Sequence, residues 1–294
     1  MNSNTLLQKS AKILKTNNKS SPELDCKILL GYVLGLEDKI YFHNDFSVSN
    51  KERLKFEKLI KLRVQGKPVS KIVGKKNFWK YNFLVNEYTL DPRPETELLI
   101  EIVLDYLKKK QKDIQILDLG SGSGCVGLSL LKELPFSYLF CLDKCRKALN
   151  QLRLNSKKLQ VMDRVKTINV DWFDNKWTEK IIKKLLKSEK NFKKKFDVVV
   201  CNPPYIKSKD ICELDDEVKK FDPLIALDGG LDGCDSYRAI FDKIREIMNK
   251  ESIIVLEVSV DTIKIVKKIV KRSGFKIKNI YKDISGSCRA LLIK

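Results

Sequence analysis

From Ile114 onward, short apolar runs alternate with helical stretches, and this alternation leaves few folds open to the chain. Gln115–Leu119, Tyr138–Leu142, Val165–Val170, Phe196–Cys201 and Ile253–Val258 read as strands. Cys125–Glu133, Arg146–Lys157 and Thr262–Arg272 read as helices, and further strands are expected near Phe275–Tyr281 and Arg289–Ile293. Runs such as Val198-Val199-Val200-Cys201 are apolar at every position, so both faces of their sheet must be covered. The expected fold class is therefore α/β, with a mainly parallel sheet of seven strands and helices on both faces.

The chain ahead of this pattern divides in two. Residues 1–70 look helical and are expected to form a small bundle. Ser21-Pro22-Glu23 supplies an N-cap, a proline at the first helical position and an acid in the first turn. Leu24, Ile28, Leu29 and Tyr32 then share one expected face. Ser49-Asn50 caps a second helix carrying Leu54, Leu59 and Leu62, which ends at Gly66 before Pro68. Residues 71–91 are rich in aromatics, including Phe78, Trp79, Tyr81 and Tyr88, and read as a β-hairpin linker. Residues 92–294 form the expected main domain. The junction carries Asp91-Pro92-Arg93-Pro94-Glu95-Thr96-Glu97, a rigid entry to a helix through Leu107.

Composition narrows the function. A hydrophobic fraction of 43% over 294 residues is ample for a core, and no apolar run is long enough to span a membrane. Met1-Asn2-Ser3-Asn4 lacks the features of a signal peptide. The eight cysteines form no Cys-x-x-Cys pair and read as reduced thiols, as expected of a cytoplasmic protein. His43 is the single histidine, which argues against a Ser-His-Asp triad and a histidine metal site, so no metal is expected. The net charge of +20 suits a polyanionic partner, but lysine is spread along the whole chain, as in a lysine-biased proteome. Lys180–Lys195 alone concentrates eight lysines and reads as a solvated helix or surface loop.

The chemistry gathers where strands end. Asp118-Leu119-Gly120-Ser121-Gly122-Ser123-Gly124 closes the first strand with a glycine-rich turn that lets a ligand approach the backbone. Asp143 ends the second strand, where a carboxylate accepts ribose hydroxyls or caps the next helix. Asp171-Trp172-Phe173 ends the third, with an acid and aromatics suited to an adenine ring or to the core. Asn202-Pro203-Pro204-Tyr205 ends the fourth. Its prolines stiffen the loop and present bare carbonyls, while Asn202 and Tyr205 add an amide and an aromatic face. That set suits a planar NH2 group.

These residues carry a family resemblance. The glycine-rich loop, Asp143 and Asn202–Tyr205 resemble the class I S-adenosylmethionine methyltransferases that modify planar amino groups. More narrowly, the chain from about Gly66 resembles the peptide chain release factor glutamine methyltransferases. The likeness includes Arg93–Glu97, Asp171-Trp172-Phe173, Phe221–Leu227 and Asp283-x-x-Gly286-x-x-Arg289. It implies a Rossmann-like fold and S-adenosyl-L-methionine held by Gly120, Ser121, Gly122, Ser123, Gly124, Asp143, Trp172 and Asn202. It also implies catalysis by Asn202, Pro203 and Tyr205, with Pro204 joining them in binding the substrate. The implied partner is a class I release factor, methylated on the glutamine of its Gly-Gly-Gln loop, with no specific nucleic acid and no membrane.

There are departures. Glu257-Val258-Ser259-Val260-Asp261 lacks the Gly and Gln that often follow the acid ending the family's fifth strand, Lys294 replaces a final arginine, and the lysine tract looks inserted. Three alternatives share some of these features: a DNA adenine methyltransferase, a glutamine methyltransferase for a large-subunit ribosomal protein, and a non-catalytic nucleic-acid-binding protein. Arg93–Glu97 favours the release-factor enzyme over the first two, and the paired cofactor and acceptor loops argue against the third.

Overall fold

A computed structural model describes residues 2–36, 45–108, 113–187, 192–193 and 195–294. The chain forms two compact units. One comprises Met1–Lys75 with Asp215–Phe221, the other Lys76–Leu214 with Asp222–Lys294.

The first unit holds α1 (Ser3–Thr16), α2 (Pro22–Leu34), α3 (Asn50–Val64) and the short α4 (Val69–Val73). A reciprocal cap starts α3: Ser49 Oγ accepts from the Glu52 backbone, and Glu52 Oε2 accepts from the Ser49 backbone. The core is built from Leu6, Leu14, Cys26, Leu29, Leu30, Phe56 and Ile60. The expected faces of α2 and α3 are met in part, since Leu29 is buried and Leu59 packs against the core. Leu24, Tyr32, Leu54 and Leu62 are exposed, while Asp25 and Arg63 point inward. The reason is an ion pair that apolar periodicity cannot reveal. Buried Arg63 meets Asp25 at 2.6 Å and Glu217 of the short helix Asp216–Phe221 at 2.6 Å.

In the second unit, the two-stranded sheet of β1 (Lys75–Phe78) and β2 (Tyr81–Leu84) buries Phe78 and Phe83 against α5 (Leu98–Leu107) and its neighbours. The main sheet follows, with β3 (Gln115–Leu119), α6 (Cys125–Glu133), β4 (Tyr138–Asp143), α7 (Arg146–Lys158), β5 (Val165–Asn169), α8 (Trp177–Leu186), β6 (Phe196–Cys201), α9 (Asp235–Lys243), β7 (Met248–Glu257), α10 (Ile263–Arg272), β8 (Ile277–Lys282) and β9 (Cys288–Ile293). The strand order is β5-β4-β3-β6-β7-β9-β8, with β9 antiparallel to both its neighbours and the first five strands parallel.

Alternate residues of each strand serve opposite faces. Leu117, Phe140 and Val199 pack with α8, α9 and α10, whereas Ile116, Leu139 and Val198 pack with α5, α6 and α7. The lysine tract begins as α8, whose Trp177, Ile181 and Leu185 are buried, so it is an amphipathic covering helix rather than a solvated one. Residues 188–191 and 194 of the tract, like His43, lie outside the described residues. No helix among the described residues is long and apolar enough to cross a membrane.

Candidate active site

Five parallel strands bring their carboxyl ends to one edge of the sheet, and the candidate residues follow those ends. After β3 the chain turns sharply at Gly120, whose φ is +73°. A Cβ there would lie 3.1 Å from the Trp172 ring, so only glycine lets this turn lie under the indole without strain. Gly120 and Ser121 donate their backbone N–H groups to Leu142 O, which ties the turn to the end of β4. Further on, a Cβ at Gly127 would come within 2.7 Å of Asp118 Oδ2. In its absence the Gly127 N–H donates to that oxygen at 3.1 Å. Burial, with the Asp143 charge adding to it, pushes the Asp118 carboxyl up to about 7.

Asp143 faces the turn. It accepts from Gly122 N at 2.9 Å and from Cys145 N at 2.8 Å. Burial raises its proton affinity, and the two N–H groups oppose that shift. Gly120, Gly122, Asp143, Trp172, Asn202 and Pro204 border one open cleft of about 600 Å³, together with Tyr88, Asp171, Pro223 and Ile225. Ser121 and Ser123 border a second, adjoining hollow with Arg93, Thr96 and Asp118. Gly120, Gly122 and Asn202 are common to both. Gly124 lies behind this surface as the N-cap of α6, against Leu128 and Leu152. Pro203 and Tyr205 border neither hollow.

Asn202 Nδ2 donates to Thr96 Oγ1 at 3.3 Å, and the Tyr205 hydroxyl reaches Glu257 Oε1 at 3.4 Å. Burial first, then the Glu257 charge, push the Tyr205 phenol up to about 12. Thr96, Glu257 and the Tyr88 and Ile225 walls were not among the residues expected at the site. The likenesses over Phe221–Leu227 and Arg93–Glu97 pointed toward these segments, but not to the contact of Thr96 with Asn202. Its neighbour Arg93 is held by Asp222 at 2.8 Å, and Asp222 also accepts from Asp91 N at 3.0 Å.

A model of the PrmC N-terminal domain matches residues 5–74, and one of the methyltransferase small domain matches residues 94–217. A release factor glutamine methyltransferase of Clostridium botulinum is 33% identical, over 95% of this chain and 94% of its own length. That of Rhodospirillum rubrum is 33% identical, over 98% of this chain and 84% of its own. The chain belongs to the release factor glutamine methyltransferase family. It is also 31% identical to a bifunctional methyltransferase of Rickettsia felis, of which it spans only 57%.

Members of this family are S-adenosyl-L-methionine-dependent methyltransferases, and the cleft has the features such a cofactor needs. The Asp143 carboxylate suits a ribose diol, because it accepts hydrogen bonds and has lone pairs beyond those Gly122 and Cys145 use. Trp172 Nε1 is a buried donor with no hydrogen-bond partner among the described residues. A Cβ at Gly122, which borders the cleft, would meet nothing nearer than Gly120 O at 4.0 Å, so the backbone there is open to a ligand.

Proposed function

We propose that this protein transfers a methyl group to the side-chain amide nitrogen of the glutamine in the Gly-Gly-Gln loop of class I peptide chain release factors. The observation that carries the reading is the stiff Asn202–Tyr205 loop at the end of β6, whose first residue borders the cleft beside Gly120 and Gly122. The names of the bacterial relatives support the substrate class.

When bound, S-adenosyl-L-methionine supplies an electrophilic methyl group. The chain's task is the nucleophile, since an amide nitrogen's lone pair is delocalised. Asn202 Oδ1 and the Pro203 carbonyl accept the two amide hydrogens, and the Tyr205 ring covers the amide plane. Two prolines hold this geometry before the substrate arrives. Positioning of that kind supplies several kcal/mol of a barrier. Glycines beside the acceptor glutamine let its backbone enter a narrow site without steric cost. Residues 1–70 carry no comparable chemistry, and we assign to them the docking of the protein substrate.

The test is mass spectrometry of a class I release factor, a ribosomal large-subunit protein mixture and DNA after incubation with labelled cofactor. One methyl on the loop glutamine, and none after its replacement by asparagine, is the expected result. Label in DNA or on a ribosomal protein, with none in the release factor, overturns the proposal.

A further inference from the structure

Both ends of the Asn202–Tyr205 loop bear on one buried carboxylate. Tyr205 reaches Glu257 directly, at 3.4 Å. Asn202 Nδ2 donates to Thr96 Oγ1 at 3.3 Å, and Thr96 in turn favours the charged form of the Glu257 carboxyl. Thr96 is 3% exposed and Glu257 2% exposed, so water is largely excluded from this set. Thr96 is itself fixed by the rigid turn Pro94–Glu97, where its backbone N–H donates to Arg93 O at 3.1 Å.

The polarity of these contacts follows from donor arithmetic. A carboxylate only accepts, and a threonine has a single O–H. Thr96 Oγ1 accepts from Asn202 Nδ2, which leaves its single O–H for the Glu257 carboxyl, whose charged form it favours. The Asn202 carboxamide is thereby turned with Nδ2 inward, leaving Oδ1 free to accept from a substrate. Without the brace, the amide could rotate and present a donor to the acceptor NH2 group. Glu257 Oε2 has no partner among the described residues, although it is buried. An apolar residue at this position would avoid leaving that oxygen unpaired, so packing alone does not account for a carboxylate. Burial lifts the Glu257 carboxyl to about 7, while Thr96, then the charge of Arg289 (itself held by Asp283 at 3.0 and 3.1 Å) and Tyr205 pull the other way, so the accepting carboxylate prevails above that value.

We infer that Thr96 and Glu257 are positioning residues, which set the orientation of the Asn202 carboxamide and the seat of Tyr205 for the acceptor amide. This role rests on the reaction proposed above. The test uses full-length protein with a release factor and labelled cofactor, comparing Thr96→Val, Thr96→Ser and Glu257→Gln. Thr96→Val is expected to lower kcat by about tenfold or more, with S-adenosylhomocysteine affinity by calorimetry within about twofold, and Thr96→Ser to recover most of the loss. If Thr96 acts through Asn202, the Thr96→Val effect vanishes in an Asn202→Ala background. An unchanged kcat, a loss that tracks cofactor affinity, or an equal loss in the Asn202→Ala background would overturn the inference. Should Thr96→Val not fold, the Glu257→Gln pair with Asn202→Ala reads the same coupling. Failure of the unmodified protein to label the release factor would sink the parent reading instead, so the two failures are distinguishable.

Discussion

Replacing Asp143 by asparagine keeps the shape of the side chain and changes only its hydrogen-bonding capacity. In the native site one oxygen accepts from Gly122 N at 2.9 Å and the other from Cys145 N at 2.8 Å. An asparagine can satisfy only one of these, because its NH2 group must face the other N–H, donor against donor. The lost bond to a charged acceptor corresponds to about 1.5–3 kcal/mol. If the Gly122 bond is lost, the turn loosens where we place the cofactor; if the Cys145 bond is lost, the start of α7 loosens. In either case one of the acceptors expected to meet the ribose diol becomes a donor. We expect S-adenosylhomocysteine affinity to fall by about 10- to 150-fold, that energy converted at about 1.4 kcal/mol per decade. Isothermal calorimetry at neutral pH measures it, with circular dichroism to check the fold. An affinity within twofold of the native value would refute the assignment of the end of β4 to the ribose.

Asn202→Ala should cut turnover about 100-fold or more at saturating release factor, with the fold retained, since one preorganised group is lost from a loop; steady-state kinetics reads this. Arg63→Ala should destabilise the N-terminal unit by about 3–5 kcal/mol, because it leaves the buried Asp25 carboxylate without its 2.6 Å partner. A denaturant titration that moved by less than about 1 kcal/mol would contradict it. Glu257 gives a pH signature. Burial lifts it from 4.5 to about 7, against the pull of Thr96, Arg289 and Tyr205 and with the push of Glu95. Between those values only the folded state holds the proton, so this group's contribution to stability declines as pH rises through the window and levels off above it. Glu257→Gln should flatten that part of the stability–pH curve, and an unchanged slope would show that Glu257 does not titrate there.

Much of the site is local in sequence, which explains why it could be read there. In a parallel sheet each functional residue follows its own apolar strand, so Asp143 and Asn202 are marked by the runs that precede them. The bounds of β3, α6 and β6 follow for the same reason. Pairings across the chain were not legible. Nothing beside Thr96 indicates that it lies under Asn202, and nothing beside Glu257 indicates Tyr205. The faces of α2 and α3 hold at Leu29 and Leu59 but miss Asp25 and Arg63, which neutralise each other and which hydrophobic periodicity counts as surface residues. The tract Lys180–Lys195 reads as solvated because its eight lysines mask the apolar spacing of Trp177, Ile181 and Leu185, which α8 buries.

The strand order gives the site its scale. Along the edge of the sheet, β5, β4, β3, β6 and β7 present Asp171, Asp143, Gly120, Asn202 and Glu257 in turn. Neighbouring strands lie about 4.8 Å apart, so the ends of β4 and β6 are separated by about 10 Å. Asp143 would hold the ribose and Asn202, two strands along the same edge, would face the methyl group that the cofactor supplies. The brace at Glu257 lies one strand further on, so it can fix the acceptor loop without competing for the cofactor. On this geometry, Asp143 substitutions should act on cofactor affinity and Thr96 or Glu257 substitutions on turnover. A Glu257 variant that weakened cofactor binding as much as an Asp143 variant does would show that the two ends of the edge are not separable.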